Sequence, residues 1–312
     1  MEIIISILKL ILFLFILVRS ANLLQNAFVN ISHKIGINIV LIGLFIIGIT
    51  SSSPEIFVAM NSIKEGIPSL ALGNLIGGNI IILTLIIGIF ALKNGGFDLK
   101  RDFSIHEIIY SLLVILAQIA VVFDGSLIFI EGVLLIVMYA LFMIYMIKKV
   151  GLSSVKKIHI NKEINKNIVL AVIGLLLLII IANFAVDEAV YLGNMISIPP
   201  IILGLIIFSL GTNLPEIIIS LTSKAGEDSN LAFGNFIGSA MFNTFTLGLL
   251  IVIMPFEAVN IHKIIPALIV LVIIIFMFGY FAYTDKKVTR REGIFMIATF
   301  IIYILFEFLI NT

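Results

Sequence analysis

The sequence predicts an all-α integral membrane protein of ten transmembrane helices, arranged as two inverted five-helix repeats. Three observations lead there. Of 312 residues, 61% are hydrophobic and only 12% charged, with a mean hydropathy of +1.26; soluble domains carry about 25% charged residues. Ten apolar stretches are long enough to cross a bilayer, which takes about 20 residues each. The chain also repeats itself. Gly43-Leu44, Pro54-Glu55-Ile56, Ser62, Leu70-Ala71, Gly73-Asn74 and Ile76-Gly77 return 161 residues later as Gly204-Leu205, Pro215-Glu216-Ile217, Ser223, Leu231-Ala232, Gly234-Asn235 and Ile237-Gly238, without a gap.

The first span, 3–30, is apolar from Ile3 onward with no small-residue cleavage site, so it reads as a retained helix rather than a signal peptide. Its counterpart, span 6 (167–194), repeats Ala21-Asn22 as Ala182-Asn183. Spans 2 (36–63) and 7 (198–223) each hold one Pro-Glu pair. Spans 3 (68–92) and 8 (230–254) carry Gly73-Asn74-xx-Gly77 and Gly234-Asn235-xx-Gly238, a small-residue face that lets helices approach closely. Spans 4 (104–123) and 9 (260–283) open on His106 and His262, which match at an offset of 156 and read as interfacial. Spans 5 (126–147) and 10 (291–310) open on Glu131-Gly132 and Glu292-Gly293, with Asp124 and Asp285 as caps at the loop edges. The stretch 148–166, with six lysines, separates a first repeat (1–147) from a second (167–312) as a basic cytoplasmic linker.

Five spans is an odd number, so the two copies insert with opposite orientations. Charge sets the direction. With the N-terminus outside, the inner loops hold fifteen Lys and Arg residues, and the outer loops only Lys64 and Lys263. The positive-inside rule therefore puts both termini outside a cell membrane. The absence of cysteine excludes disulfides and thiolate metal sites, and the absence of tryptophan leaves any interfacial belt to Tyr and Phe. His33, His106, His159 and His262 show no metal-ligand spacing. The net charge of +1 identifies no partner. Nucleic acid and an obligatory protein partner are not expected; the bilayer is.

The chemistry lies in Gly48-Ile-Thr-Ser-Ser-Ser-Pro54-Glu55 and Ser209-Leu-Gly-Thr-Asn-Leu-Pro215-Glu216. A proline inside a helix frees the carbonyl four residues back, here Thr50 and Gly211. Such breaks are tolerated at membrane depth where they line a cavity. An intramembrane carboxylate is expensive and marks a functional site by default. Carbonyls, hydroxyls and carboxylates are hard oxygen ligands suited to Na⁺ and Ca²⁺. Two bidentate glutamates would offer a divalent ion two charges and four oxygens, with carbonyls completing the six to eight that Ca²⁺ takes.

These paired motifs, in two five-span halves, resemble the sodium/calcium exchangers of the cation/Ca²⁺ antiporter superfamily. The resemblance covers essentially the whole chain. It implies a central ion site, spans 1 and 6 sliding as a gate, and alternating access with no covalent step, hence no enzyme and no cofactor beyond the transported Ca²⁺ and Na⁺. By position it implies Glu55 and Glu216 as Ca²⁺ chelators, and Ser51 and Thr212 as carbonyl and hydroxyl donors. Ser52 and Asn213 fall at a following serine, Gly48 and Ser209 where a backbone carbonyl takes Na⁺, and Ser239 and Asn243 on span 8.

The chain departs from that pattern. Gly78 stands where the first copy should have serine, and Ile82 where it often has asparagine. The Na⁺ ligand set is thinner. The expectation is a weakened Na⁺ position beside Gly78 and Glu216 and a better preserved one beside Ser239 and Glu55. Asn79, one residue on and about 100° around a helix, is not expected to compensate. The leading reading is Ca²⁺/Na⁺ antiport. Ca²⁺ or another cation exchanged for H⁺ is the alternative, since two carboxylates sharing a site resist ionising together without a cation. A passive channel lacks an obvious filter, and an intramembrane enzyme lacks a catalytic dyad.

Overall fold

A computed structural model describes residues 2–35, 41–99, 104–151, 162–223, 227–257, 261–284 and 287–311. Lys100, Arg101, Lys156, Lys157, His159, Lys224, Asp285 and Lys286 lie outside them, as does the centre of the predicted linker.

The chain is almost entirely helical. In order it forms α1 (Glu2–Ile35), α2 (42–51), α3 (Ser53–Lys64), α4 (Pro68–Asn94), α5 (Ile105–Val122), α6 (Phe129–Val150), α7 (Lys162–Ile196), α8 (Pro200–Thr212), α9 (Leu214–Thr222), α10 (Glu227–Ile253), α11 (Ile265–Thr284) and α12 (Arg290–Asn311). Among the described residues, eight helices are long and apolar enough to cross a membrane, counting α2 and α3 as one. The bent pair α8–α9, which turns by 41° at Asn213, makes nine. The 22-residue α12 occupies the tenth predicted stretch.

Burial sorts the helices. All residues from Leu70 to Thr84 of α4 are buried, and α10 is nearly as enclosed. In contrast, α1, α6 and α7 turn rows of Ile, Leu and Phe outward, such as Ile173, Leu176 and Ile180. Enclosed helices are apolar all round, whereas outer ones expose apolar side chains only where lipid, not water, is the solvent.

The core helices touch backbone to backbone. A Cβ on Gly77 of α4 would stand 2.9 Å from the Cα of Leu205 in α8. The equivalent pair, Gly238 of α10 and Leu44 of α2, is as close, with Leu44 C 2.9 Å from the Cβ position. The small-residue faces read from the sequence are thus helix contacts. The loops make two antiparallel ribbons. β1 (Gly96–Asp98) pairs with β4 (Lys287–Thr289), and β2 (Ser126–Leu127) with β3 (Phe256–Glu257). Shifting by 161 carries Gly96 to Glu257 and β2 onto β4, so each ribbon joins both halves of the sequence.

The repeated Glu-Gly pairs have one local job in both copies. Glu131 accepts from the backbone N–H of Ile128, and Glu292 from that of Thr289, each satisfying an open donor at a helix start. The next residue packs: Gly132 against Gly248, and Gly293 against Gly88. Asp124 accepts from the Ser126 N–H at 2.9 Å, the turn-capping role expected of it.

Candidate functional site

Two helix breaks meet two enclosed helices at the centre of the molecule. Both breaks are built the same way. A π-helical segment, Ile42–Ile47 or Leu203–Phe208, runs into four α-helical residues, Gly48–Ser51 or Ser209–Thr212. Ser52 (φ −83°, ψ 9°) and Asn213 (φ −85°, ψ 11°) then leave helical geometry. Each new helix starts with proline in its first turn, where the missing N–H is no loss. Each places its glutamate, Glu55 or Glu216, beside the positive end of the helix dipole. Both glutamates are buried.

Around Glu216 the polar groups form one cluster. The Ser239 hydroxyl donates to Glu216 Oε1 at 3.0 Å. Ser51 Oγ lies 3.0 Å from Ser239 Oγ and 3.0 Å from Asn235 Oδ1. The Gly48 carbonyl is 3.4 Å from Ser239 Oγ and accepts the Ser52 N–H at 3.2 Å. The other copy repeats part of this: Thr212 Oγ1 lies 3.3 Å from Asn74 Oδ1. The Ser209 carbonyl accepts from the Asn213 amide at 2.9 Å. Ser52 is buried at its break.

The pairing of serine and glutamate differs from expectation. Ser239 stands with Glu216, not with Glu55, because Glu216 crosses to the Ser51–Asn235–Ser239 cluster contributed by α2 and α10. Gly78 offers no hydroxyl at the equivalent place. A Cβ there would lie 2.9 Å from Asn243 Nδ2 and 3.1 Å from Asn213 Nδ2, so two amides fill the missing side chain's space. Asn79 faces the second half of the site through Asn243. It is buried, and its Oδ1 accepts from Asn243 Nδ2 at 3.1 Å. Since α4 is enclosed on every side, rotating 100° around it meets another helix rather than lipid. The carbonyl freed by Pro54 is not open either: Ser53 donates to Thr50 O at 2.6 Å. Leu214 stands at the matching place in the second copy and has no hydroxyl to cap Gly211.

The site is rich in unsatisfied oxygen. Both carboxylate oxygens of Glu55, Oε2 of Glu216, and the amide oxygens of Asn213 and Asn243 are buried without a hydrogen-bond partner. Buried polar atoms are rarely left so, and an uncompensated buried carboxylate is strongly destabilising. Five hard oxygens on four converging segments suit a cation. Among the described residues no three His, Asp or Glu side chains cluster, so the acidic content of the site is the glutamate pair. Asn74 and Asn235 were visible only as parts of a repeated Gly-Asn; each hydrogen-bonds across to the hydroxyl residue of the opposite copy's helix break.

The chain also resembles known proteins in sequence and fold. The sodium/calcium exchanger protein family profile matches residues 5–148 and again residues 166–309. The inner membrane protein YrbG of Escherichia coli K12 is 29% identical over 257 residues, 78% of each chain. The sodium/calcium exchanger MaX1 of Methanosarcina acetivorans is 23% identical over 98% of this chain and 99% of its own. A solved structure of the sodium-calcium exchanger NCX_Mj, soaked with Na⁺ and Sr²⁺, superposes with a TM-score of 0.70 at 23% identity, over 97% of this chain and 98% of that one. A fold shared end to end, and a family profile met twice at the spacing of the chain's own repeat, make this multi-span membrane protein a member of the sodium/calcium exchanger family.

Proposed function

We propose that the chain is a secondary antiporter that exchanges Ca²⁺ for Na⁺ by alternating access at the glutamate pair. One observation carries this reading: Glu55 and Glu216 are both buried, and three of their four carboxylate oxygens make no close hydrogen bond. Ca²⁺ matches both the charge and the ligand type. Gly48, Ser51, Ser52, Ser209, Thr212, Asn213, Ser239 and Asn243 complete the proposed ligand set, with Na⁺ ions taking the same oxygens in turn. No chemical step is needed, and ion binding alone shifts the populations of outward and inward states.

The proposed architecture is ten spans in two inverted repeats, 1–147 and 167–312, joined by a basic cytoplasmic linker at 148–166, with both termini outside a cell membrane. It is supported by the family profile's two matches, 161 residues apart, by the identical pair of helix breaks, and by ribbons that the repeat relation exchanges. The long helices α1 and α7 pack along each other at the periphery, where a sliding gate would run, and Lys9 pairs with Glu188 between them at 3.5 Å.

A second reading, Ca²⁺/H⁺ antiport, is favoured by one observation. The layer around Gly78 and Ile82 has no hydroxyl or carboxylate from the first copy, which leaves Na⁺ fewer ligands. The test is radioactive Ca²⁺ uptake into proteoliposomes under separate outward Na⁺, K⁺ and H⁺ gradients. Uptake driven by Na⁺ alone supports the first reading, and uptake driven by H⁺ alone supports the second. Uptake that needs no trans ion sinks both.

A further inference from the structure

We infer that Asn79 is a positioning residue for the cation site, acting through Asn243; the inference rests on the cation-site reading above. The two amides come from positions the repeat does not relate. At the 161-residue spacing Asn79 faces Ala240, and Asn243 faces Ile82. Yet both side chains are buried, and they meet at 3.1 Å with Asn243 Nδ2 donating to Asn79 Oδ1.

A primary amide is planar, with its donor and acceptor on opposite sides of one carbon. Fixing the donor therefore fixes the acceptor. Asn243 Nδ2 is committed to Asn79 and leans into the space over Gly78, 2.9 Å from where a Cβ would stand. Its Oδ1 must then turn away from α4, and it is buried with no donor of its own. Released from Asn79, the amide could rotate and present N–H groups to the ion space, and a cation is repelled by a donor. Gly78 takes part by absence, since a side chain there would contest the position of Nδ2. The layer that lost a serine and an asparagine from the first copy thus holds an oriented carbonyl oxygen instead, aimed by a residue one position along the helix.

This orientation serves Na⁺ more than Ca²⁺. The divalent ion draws most of its stabilisation from the two carboxylates, whereas a monovalent ion in this layer depends on neutral oxygens. The experiment uses the purified full chain, with Na⁺ and Ca²⁺ binding measured separately by titration for wild type, Asn79→Leu, Asn243→Ala and the double variant. Asn79→Leu is expected to weaken Na⁺ binding about fivefold, the size of one net hydrogen bond, with Ca²⁺ binding changed by less than about twofold. In the Asn243→Ala background, Asn79→Leu should have almost no further effect on Na⁺, because a residue acting only through another gives a non-additive cycle. Asn79→Ala is the substitute if the leucine variant does not fold, with the same expectation. Equal losses in both backgrounds, or equal losses for both ions, overturn the positioning role while leaving the site in place. A wild-type chain that binds neither ion overturns the site and this inference together.

Discussion

At the scale of single residues, charge count dominates. Glu55→Gln or Glu216→Gln leaves one carboxylate for a divalent ion in a low-dielectric site. Removing one member of a buried charge arrangement costs on the order of 3 kcal/mol, so Ca²⁺ uptake should fall by about a hundredfold or more. Melting curves without Ca²⁺ should show no loss of stability, since each change also removes a buried carboxylate that has at least one oxygen without a close hydrogen bond. Full uptake by both single variants would show that Ca²⁺ binds elsewhere. Gly78→Ser is the second case at this scale. The sequence alone casts it as a restoration of a lost Na⁺ ligand. With Asn243 Nδ2 and Asn213 Nδ2 already in that space, the serine must displace both, so Na⁺ dependence should weaken rather than steepen. A steeper Na⁺ dependence of Ca²⁺ uptake would mean that the amides yield easily and the hydroxyl binds. The difference marks the limit of pattern reading: a repeat shows which residue type is missing, not what has moved into the gap.

At the scale of elements, the helices and their proline breaks were legible because they are written in composition: long apolar runs, Pro-Glu at equal spacing, glycines four apart. The π-helical segments were not. An extra residue per turn leaves no trace in a helix that is apolar on all faces, since its periodicity carries no phase to disturb. One consequence can be seen only in three dimensions. α4 has a π segment at Ile82–Ile86, whereas its counterpart α10 runs as α-helix throughout. Beyond that segment the repeat spacing drops by one. Gly88, 2.8 Å from Gly293 O at its Cβ position, corresponds to Gly248, 2.8 Å from Gly132 O. The π turn thus absorbs one inserted residue, and the glycine contacts on both sides stay in register. Deleting Leu85 should let α4 relax to α-helix, keep both contacts and leave the purified protein monodisperse. Deleting Leu249 from α10 removes a residue with no slack to absorb it, and should lower the melting temperature or prevent folding. Equal damage from both deletions would show that the π turn is not a stored insertion. Gly238→Val tests the same packing in another way. Its Cβ would press on the Leu44 backbone, which cannot rotate aside, so about 1–3 kcal/mol of overpacking strain is expected.

At the scale of the whole molecule, the two halves are joined so that neither is complete alone. α4 of the first half packs on the π segment of α8, α10 of the second half packs on that of α2, and each ribbon takes one strand from each half. Such exchange is what a two-fold axis between two repeats produces, and in the proposed architecture, with five spans in each repeat, that axis lies in the membrane plane. The direction of the whole then rests on charge alone. In the proposed topology fifteen Lys and Arg residues fall between or at the ends of spans on one side and two on the other. At roughly this bias, orientation follows the positive-inside rule. The absence of native cysteine allows a direct check. Lys148, exposed in the last turn of α6, and Glu65, exposed just after α3, lie at helix ends assigned to opposite sides. In intact cells an impermeant thiol reagent should label Glu65→Cys and spare Lys148→Cys until the membrane is opened. Labelling of Lys148→Cys with Glu65→Cys protected would invert the orientation. Labelling of both in intact cells would mean that the intervening spans do not cross as an odd number, and the inverted-repeat architecture would fall with them.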